Sequence, residues 1–140
     1  MMNTRIYKSV HSLAEKLMQA ASKDDTQTFY PLYAELKAIC IDNENTDNDH
    51  PVQWEALADF TEELEEAEIV YKKALDKATA INSKDYMSSI AYSLAELQIG
   101  LGNTDAALKN LQDAQINANK IEDKDLKREI DMLLKTLLEG

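Results

Sequence analysis

The chain has 140 residues, 44% of them hydrophobic, with three glycines, two prolines and a formal net charge of −11. That length suits one domain able to bury a little under ~70% of its unfolded surface. The scarcity of turn-formers and the lack of β-branched or aromatic alternation exclude hairpins and sandwiches and predict an all-α fold, while the negative charge argues against direct binding to nucleic acid.

The first helix is expected from about Asn3 to Ala21, with Ile6, Val10, Leu13, Leu17 and Ala21 as its inner stripe and Arg5, Lys8, Glu15 and Lys16 mostly outside. After a polar turn from Ser22 to Thr26, the second runs from Thr26 or Thr28 to about Ile41, with Phe29, Tyr33, Leu36 and Cys40 on one face. Pro31 is expected in its first turn, where a missing N–H is not needed. Cys40 is the one cysteine; it excludes an internal disulfide and, beside Ile39 and Ile41, reads as a buried structural thiol. Met1 to Val10 has no continuous apolar core, and no run reaches membrane-spanning length, so a soluble, cytoplasmic protein without a membrane partner is expected.

Asp42 to His50 is rich in Asn and Asp and lacks helical periodicity. It predicts a loop that ends with Asp49 as cap and Pro51 early in the next helix. Calcium binding is the sharper reading of this acidic run, but an EF-hand loop needs a glycine at its bend, and none precedes Gly100. The next pair is predicted over Pro51 to about Thr61 and Glu63 to about Asn82. Trp54, Leu57, Ala58 and Phe60 are expected to face in from its first helix, and Leu64, Ala67, Val70, Tyr71, Ala74, Leu75 and Ala78 from its second. Tyr86 to Lys120 holds a further pair. Its first helix carries Ile90, Leu94, Leu97 and Leu101, and its second Ala107, Leu108, Leu111, Ala114 and Ala118. Gly100 and Gly102 stop the first helix, and Thr104 or Asp105 caps the second. A last helix starts near Asp123 or Asp125 and carries Leu126, Ile130, Leu133, Leu134, Leu137 and Leu138. It is either a cap on the exposed end or a dimerisation helix, which leaves monomer and homodimer both open. The organisation expected is one domain, with pairs over about 3–42, 49–82 and 85–121 and a capping helix over about 123–139.

Leu94-Ala95, Gly102, Ala107, Leu111 and Ala114 resemble a tetratricopeptide repeat, with the family's first-helix aromatics falling at Ala91 and Gln98. Glu66-Ala67, Tyr71 and Ala74-Leu75, preceded by Trp54, Leu57 and Ala58, look like a second copy. Ala67 to Ala107, Tyr71 to Leu111 and Ala74 to Ala114 each span 40 residues. This is longer than the usual spacing of roughly 34 and closer to the variant in kinesin light chains. The first pair looks like a degenerate copy. The resemblance implies a helical-hairpin solenoid whose first helices line a concave surface for an extended peptide or a partner's helix. Gln53, Ala56, Asp59 and Phe60 of one pair, with Tyr92, Glu96 and Ile99 of the next, are the positions it carries there. The subtype that clamps carboxylates needs lysines and asparagines at these places; Tyr92 and Glu96 favour a basic peptide instead.

Eleven of the 26 acidic residues lie between Asp42 and Glu68 with no Lys or Arg among them, while the other fifteen balance all fifteen bases. Two readings are open: a solvated face in which Glu62, Glu63, Glu65 and Glu66 complement a helix dipole, or a docking surface for a basic partner, with Glu62, Glu63 and Glu66 as contacts. Either way the chain reads as a non-catalytic protein or peptide interaction module. The alternative is a small acidic inhibitor or immunity-type protein that neutralises a basic toxin or enzyme. His11 and His50 are the only histidines, no Gly-rich phosphate loop follows a strand, and no metal-ligand spacing occurs. Neither catalysis, a cofactor nor a metal is expected.

Overall fold

The computed structural model describes residues 3–140; Met1 and Met2, the start of the stretch read above for a targeting signal, lie outside the described residues. Seven helices follow one another: α1 Thr4–Ser22, α2 Thr26–Asn43, α3 Pro51–Asp59, α4 Leu64–Ala80, α5 Lys84–Gly100, α6 Thr104–Ala118 and α7 Lys124–Glu139. The described residues contain no strand, and none of their helices is long and apolar enough to cross a membrane.

Three of the turns are built alike. After α1, α4 and α5 the chain passes through one residue in the left-handed region: Asp24 (φ 53°), Asn82 (φ 53°) and Gly102 (φ 81°). The next residue returns its backbone N–H to a carbonyl of the finished helix: Asp25 to Ala20, Ser83 to Ala78 and Asn103 to Gln98, at 2.8–3.0 Å. The same residue's side chain then accepts from the third amide of the following helix, that of Thr28, Tyr86 and Ala106 respectively. One residue thus closes one helix and opens the next. Asn103, not Thr104 or Asp105, is the cap of α6, because only its side chain stands outside the helix and faces the free amides. α5 also runs through Gly100, so Gly102 alone makes the break.

Two other local expectations change. α2 begins at Thr26, set by the Asp25 cap, which puts Pro31 in the second turn rather than the first. The hydrogen bond that Pro31 removes belongs to Gln27, an exposed residue whose carbonyl water can reach. In α1 it is Ala20, not Ala21, that is buried.

Each helix packs on the next, most extensively α5 on α6, and α1 also touches α3, as α3 touches α5. One large core runs from Val10 and Leu17 through Leu36, Trp54 and Tyr71 to Ile90 and Leu94. Two smaller clusters join α5 and α6 to α7: Ala91, Ala114 and Ala118 around Ile121 and Ile130, and Ala95, Ala107 and Leu111 around Leu134. The three position pairs 40 residues apart are buried in both members, Ala67 with Ala107, Tyr71 with Leu111 and Ala74 with Ala114.

The starts of α4 and α6 keep that offset, but α3 has only nine residues against seventeen in α5. The polar segment between α2 and α3 stands in sequence where the other copy has its first two helical turns. It is pinned rather than loose. Lys77 Nζ lies 2.7 Å from an Asp49 oxygen and Lys73 Nζ 2.8 Å from Glu44, both lysines on α4. Asp49 also accepts from the Trp54 indole and the Asn45 amide, each at 2.8 Å. Those bonds occupy Asp49, so His50 caps α3 in its stead: its Nδ1 accepts from the Val52 amide at 3.1 Å, with Pro51 as the first helical residue. Cys40 is fully buried beneath this segment, its Sγ 3.2 Å from the Gln53 carbonyl, and burial, with Asp49 and Glu44 adding, pushes the thiol up to about 12.

Candidate functional site

The charge segregation of the sequence is partly undone in space. α2 and α4 bring lysines to several of the acids: Lys77 to Asp49, Lys73 to Glu44, and, more loosely at 3.9 Å, Lys37 to Glu66 and Lys72 to Glu68. Among the described residues, Asp42, Asp47, Glu55, Asp59, Glu62, Glu63 and Glu65 of that stretch have no such partner. Asp59, joined by Glu96 of α5, and Glu62 with Glu63 lie in two adjoining places.

The first is a groove of about 550 Å³ between α3 and α5, floored by α4. Ala58 and Asp59 form one wall, Ser93, Glu96 and Leu97 the other, and Leu64, Ala67 and Tyr71 the base, with Thr61 at one end. Helical spacing puts Glu55 one turn before Asp59 on the same face of α3, Glu55 reaching α5 and Asp59 reaching α4. Tyr71 donates its hydroxyl to Asp59, and Ser89 of α5 donates to Glu55 at 2.8 Å. Burial raises the pKa of Asp59 against the Tyr71 hydrogen bond. Burial raises Glu55 to about 7, with Asp59 adding and the Ser89 bond opposing. Glu96 is raised by burial and by Glu129 of α7. Asp59 and Glu96 stand on opposite walls of the groove, with Glu55 one turn behind Asp59 and outside the lining, so a cation placed between the walls gains chiefly from the first two.

Glu55 allows a direct check. Its folded pKa lies above the ordinary 4.5, so the fold holds this proton more tightly than the unfolded chain does. Stability therefore falls as pH rises from 4.5 to about 7, and the loss is complete above that. Glu55→Gln keeps an acceptor for Ser89 and removes the charge. Urea unfolding is expected to show no change below pH 4.5 and a gain of about 1–3 kcal/mol above pH 7. An equal effect at both ends would mean that the carboxylate is not strained by its surroundings.

The second place is a cleft of about 250 Å³ at the α3–α4 turn, where Glu62, Glu63 and Glu66 meet Phe29, Tyr30 and Tyr33 of α2, with Phe60 and Thr61. The sequence suggests an exposed helix start without a pocket at these glutamates. The aromatic wall comes from a helix some thirty residues earlier, a pairing that only the packing of α2 beside α3 produces.

The other predicted contact residues are distributed differently. Gln53 is 1% exposed and holds the loop, its Nε2 donating to the Asn48 carbonyl at 2.8 Å. It is therefore not a groove residue: the short α3 turns it inward, and its Oε1 is buried without a partner. Ile99 and Tyr92 are half-buried against the clusters that α7 completes. Gln98, where the resemblance places an aromatic, is 1% exposed and fully engaged, its Nε2 donating to Glu68 at 3.1 Å and its Oε1 accepting from Asn110 at 2.7 Å. Glu55 was missed by sequence reasoning, although its spacing to Asp59 was available. His11 is exposed and pairs with Glu15 at 2.9 Å, while His50 is committed to its cap.

No family model, curated protein or solved structure matches the chain. What it does has to be read from the groove and the cleft themselves.

Proposed function

We propose that the chain is a non-catalytic interaction module, a short solenoid of the tetratricopeptide type with α7 as its end cap, and that the groove between α3 and α5 receives an extended basic segment of a partner protein. The contacts of α1 with α3 and of α3 with α5, beside those between consecutive helices, support the solenoid reading. The observation that carries the functional one is the pair Asp59 and Glu96 on opposite walls of the groove, with Glu55 one turn behind Asp59, none of the three ion-paired to a lysine or arginine among the described residues. A lysine or arginine entering the groove supplies that charge, favours the ionised form of Glu55 and releases its proton.

The test is calorimetric titration with an alternating Lys-Gly peptide. Affinity is expected to rise as pH increases through about 7, where Glu55 ionises, and to fall with added salt. Asp59→Asn with Glu96→Gln should weaken binding by at least ~10-fold. Asp76→Asn with Glu122→Gln changes net charge by the same amount at exposed positions outside the groove and the cleft and should leave affinity within about twofold, as expected for remote, screened charges. Equal losses from both pairs would reduce the effect to overall charge and sink the groove.

A further inference from the structure

The cleft beside the groove has a more selective chemistry than an acidic patch. Phe29, almost fully buried, is its floor. Tyr33 lies near-parallel to that ring with centroids 6.4 Å apart, Tyr30 stands edge-on at 5.5 Å, and Phe60 closes the far side at 6.4 Å. Both tyrosine hydroxyls are already engaged: Tyr30 donates to Glu62 at 2.8 Å, and Tyr33 pairs with Thr61 at 2.7 Å. The side-chain lining therefore offers ring faces and carboxylate oxygens but no free cation, a combination that rejects anions and rewards a flat cation. Glu63 starts α4 without bonding its side chain to the helix, so its carboxylate remains free. Among the described residues, Lys37 is the cation that pairs with a lining glutamate, and it is exposed and 3.9 Å from Glu66, too loose to fill the site.

We infer that this cleft takes an arginine side chain of a polypeptide partner, its guanidinium laid against the rings of Tyr30 and Tyr33 and hydrogen-bonded to the carboxylates of Glu62 and Glu63. Arginine is favoured over lysine because its guanidinium is planar, weakly hydrated and able to bond two oxygens while stacking on a ring; an ammonium is compact and strongly hydrated. Thr61 lines both the cleft and the groove, so a chain extended along the groove reaches the cleft with its next side chain. The inference rests on the reading above only in taking the partner to be a basic polypeptide.

The experiment is an amide chemical-shift titration of the full chain with an N-acetylated, C-amidated Gly-Arg-Gly peptide, beside its lysine and citrulline counterparts. Shifts are expected at Tyr30, Tyr33, Thr61 and Glu63, with the arginine peptide binding at least ~10-fold more tightly than citrulline and more tightly than lysine. Tyr30→Ala, at a half-exposed position, should abolish those shifts while the spectrum elsewhere stays folded; Tyr30→Phe should retain part of the binding. Asp59→Asn with Glu96→Gln should leave this short peptide unaffected. Equal binding of citrulline, equal binding of lysine, or shifts confined to Ser93 and Glu96 would each overturn the cleft. The last of these would still leave the groove standing, whereas arginine shifts in the cleft without Lys-Gly binding in the groove would do the reverse.

Discussion

Asp49→Ala is expected to lower the stability of the fold by about 2–4 kcal/mol, a fall in Tm of roughly 6–15 °C for a chain of this size. The side chain is small, but three donors converge on it: Lys77 Nζ at 2.7 Å, the Trp54 indole and the Asn45 amide. Removing it strands the indole N–H of a residue that is 4% exposed and leaves Lys77, largely covered, without its counter-charge. Asp49→Asn keeps an acceptor for Trp54 but loses the charge, and should fall between the two. The same residue sets part of the acid response. Burial alone would raise its pKa, but Lys77, the Asn45 amide and the Trp54 indole outweigh it and hold the pKa below 3.8. Its contribution is thus complete above the unfolded value and disappears as pH falls through the lower folded one. Urea unfolding of the three proteins is the measurement. A loss under about 1 kcal/mol would show that water replaces these bonds and that the segment is not a structural member.

Leu111→Ala is expected to cost about 3–5 kcal/mol. Leu111 is fully buried between Ala95, Ala107 and Leu134, with Leu108, Leu133 and Leu137 around it. Alanines on two sides of the gap have no side chain long enough to swing in, so the cavity stays open and the larger part of the range applies. α7 loses part of its seat as well, since Leu134 is one of the two buried residues on that helix, with Ile130. Amide hydrogen exchange in α7 should therefore accelerate more than in α4. Leu138→Ala, at a position 62% exposed, removes the same side chain with little effect. If the two substitutions cost the same, α7 does not close the core end as described.

The difference between these leucines was legible in the sequence only as a stripe. Periodicity placed the helices and most inner residues because the apolar face must be buried wherever the helix goes. It could not distinguish Ala20 from Ala21, or keep Leu64 out of the core, because one position of rotation separates those choices and neighbouring helices decide it. The loop beside α3 was read as turn-forming, and that followed from its Asn and Asp content. The choice of His50 over Asp49 as cap did not, since it depends on Lys77 and Trp54 reaching Asp49 first. The acidic concentration between Asp42 and Glu68 was plain in one dimension. Its division into lysine-paired acids and unanswered ones needed the placement of α2 and α4. The aromatic wall of the cleft was out of reach for the same reason: Phe29 and Glu63 share no local pattern.

The turns that end one helix and begin another with a single residue govern how this molecule yields under load. α4, α5 and α6 are joined by two of them, at Ser83 and Asn103, with no slack chain to act as a hinge, so these three helices form one stiff beam. α3 hangs instead on the longer connections before Pro51 and after Asp59. α3 is nevertheless held by its packing on α4 and by the pinned segment before it, so a polypeptide entering the groove meets two fixed walls. The groove's width is thus fixed before any ligand arrives, with Asp49 clamping the start of α3 to the C-terminal half of α4 through Lys77, so binding there incurs little cost of ordering this chain.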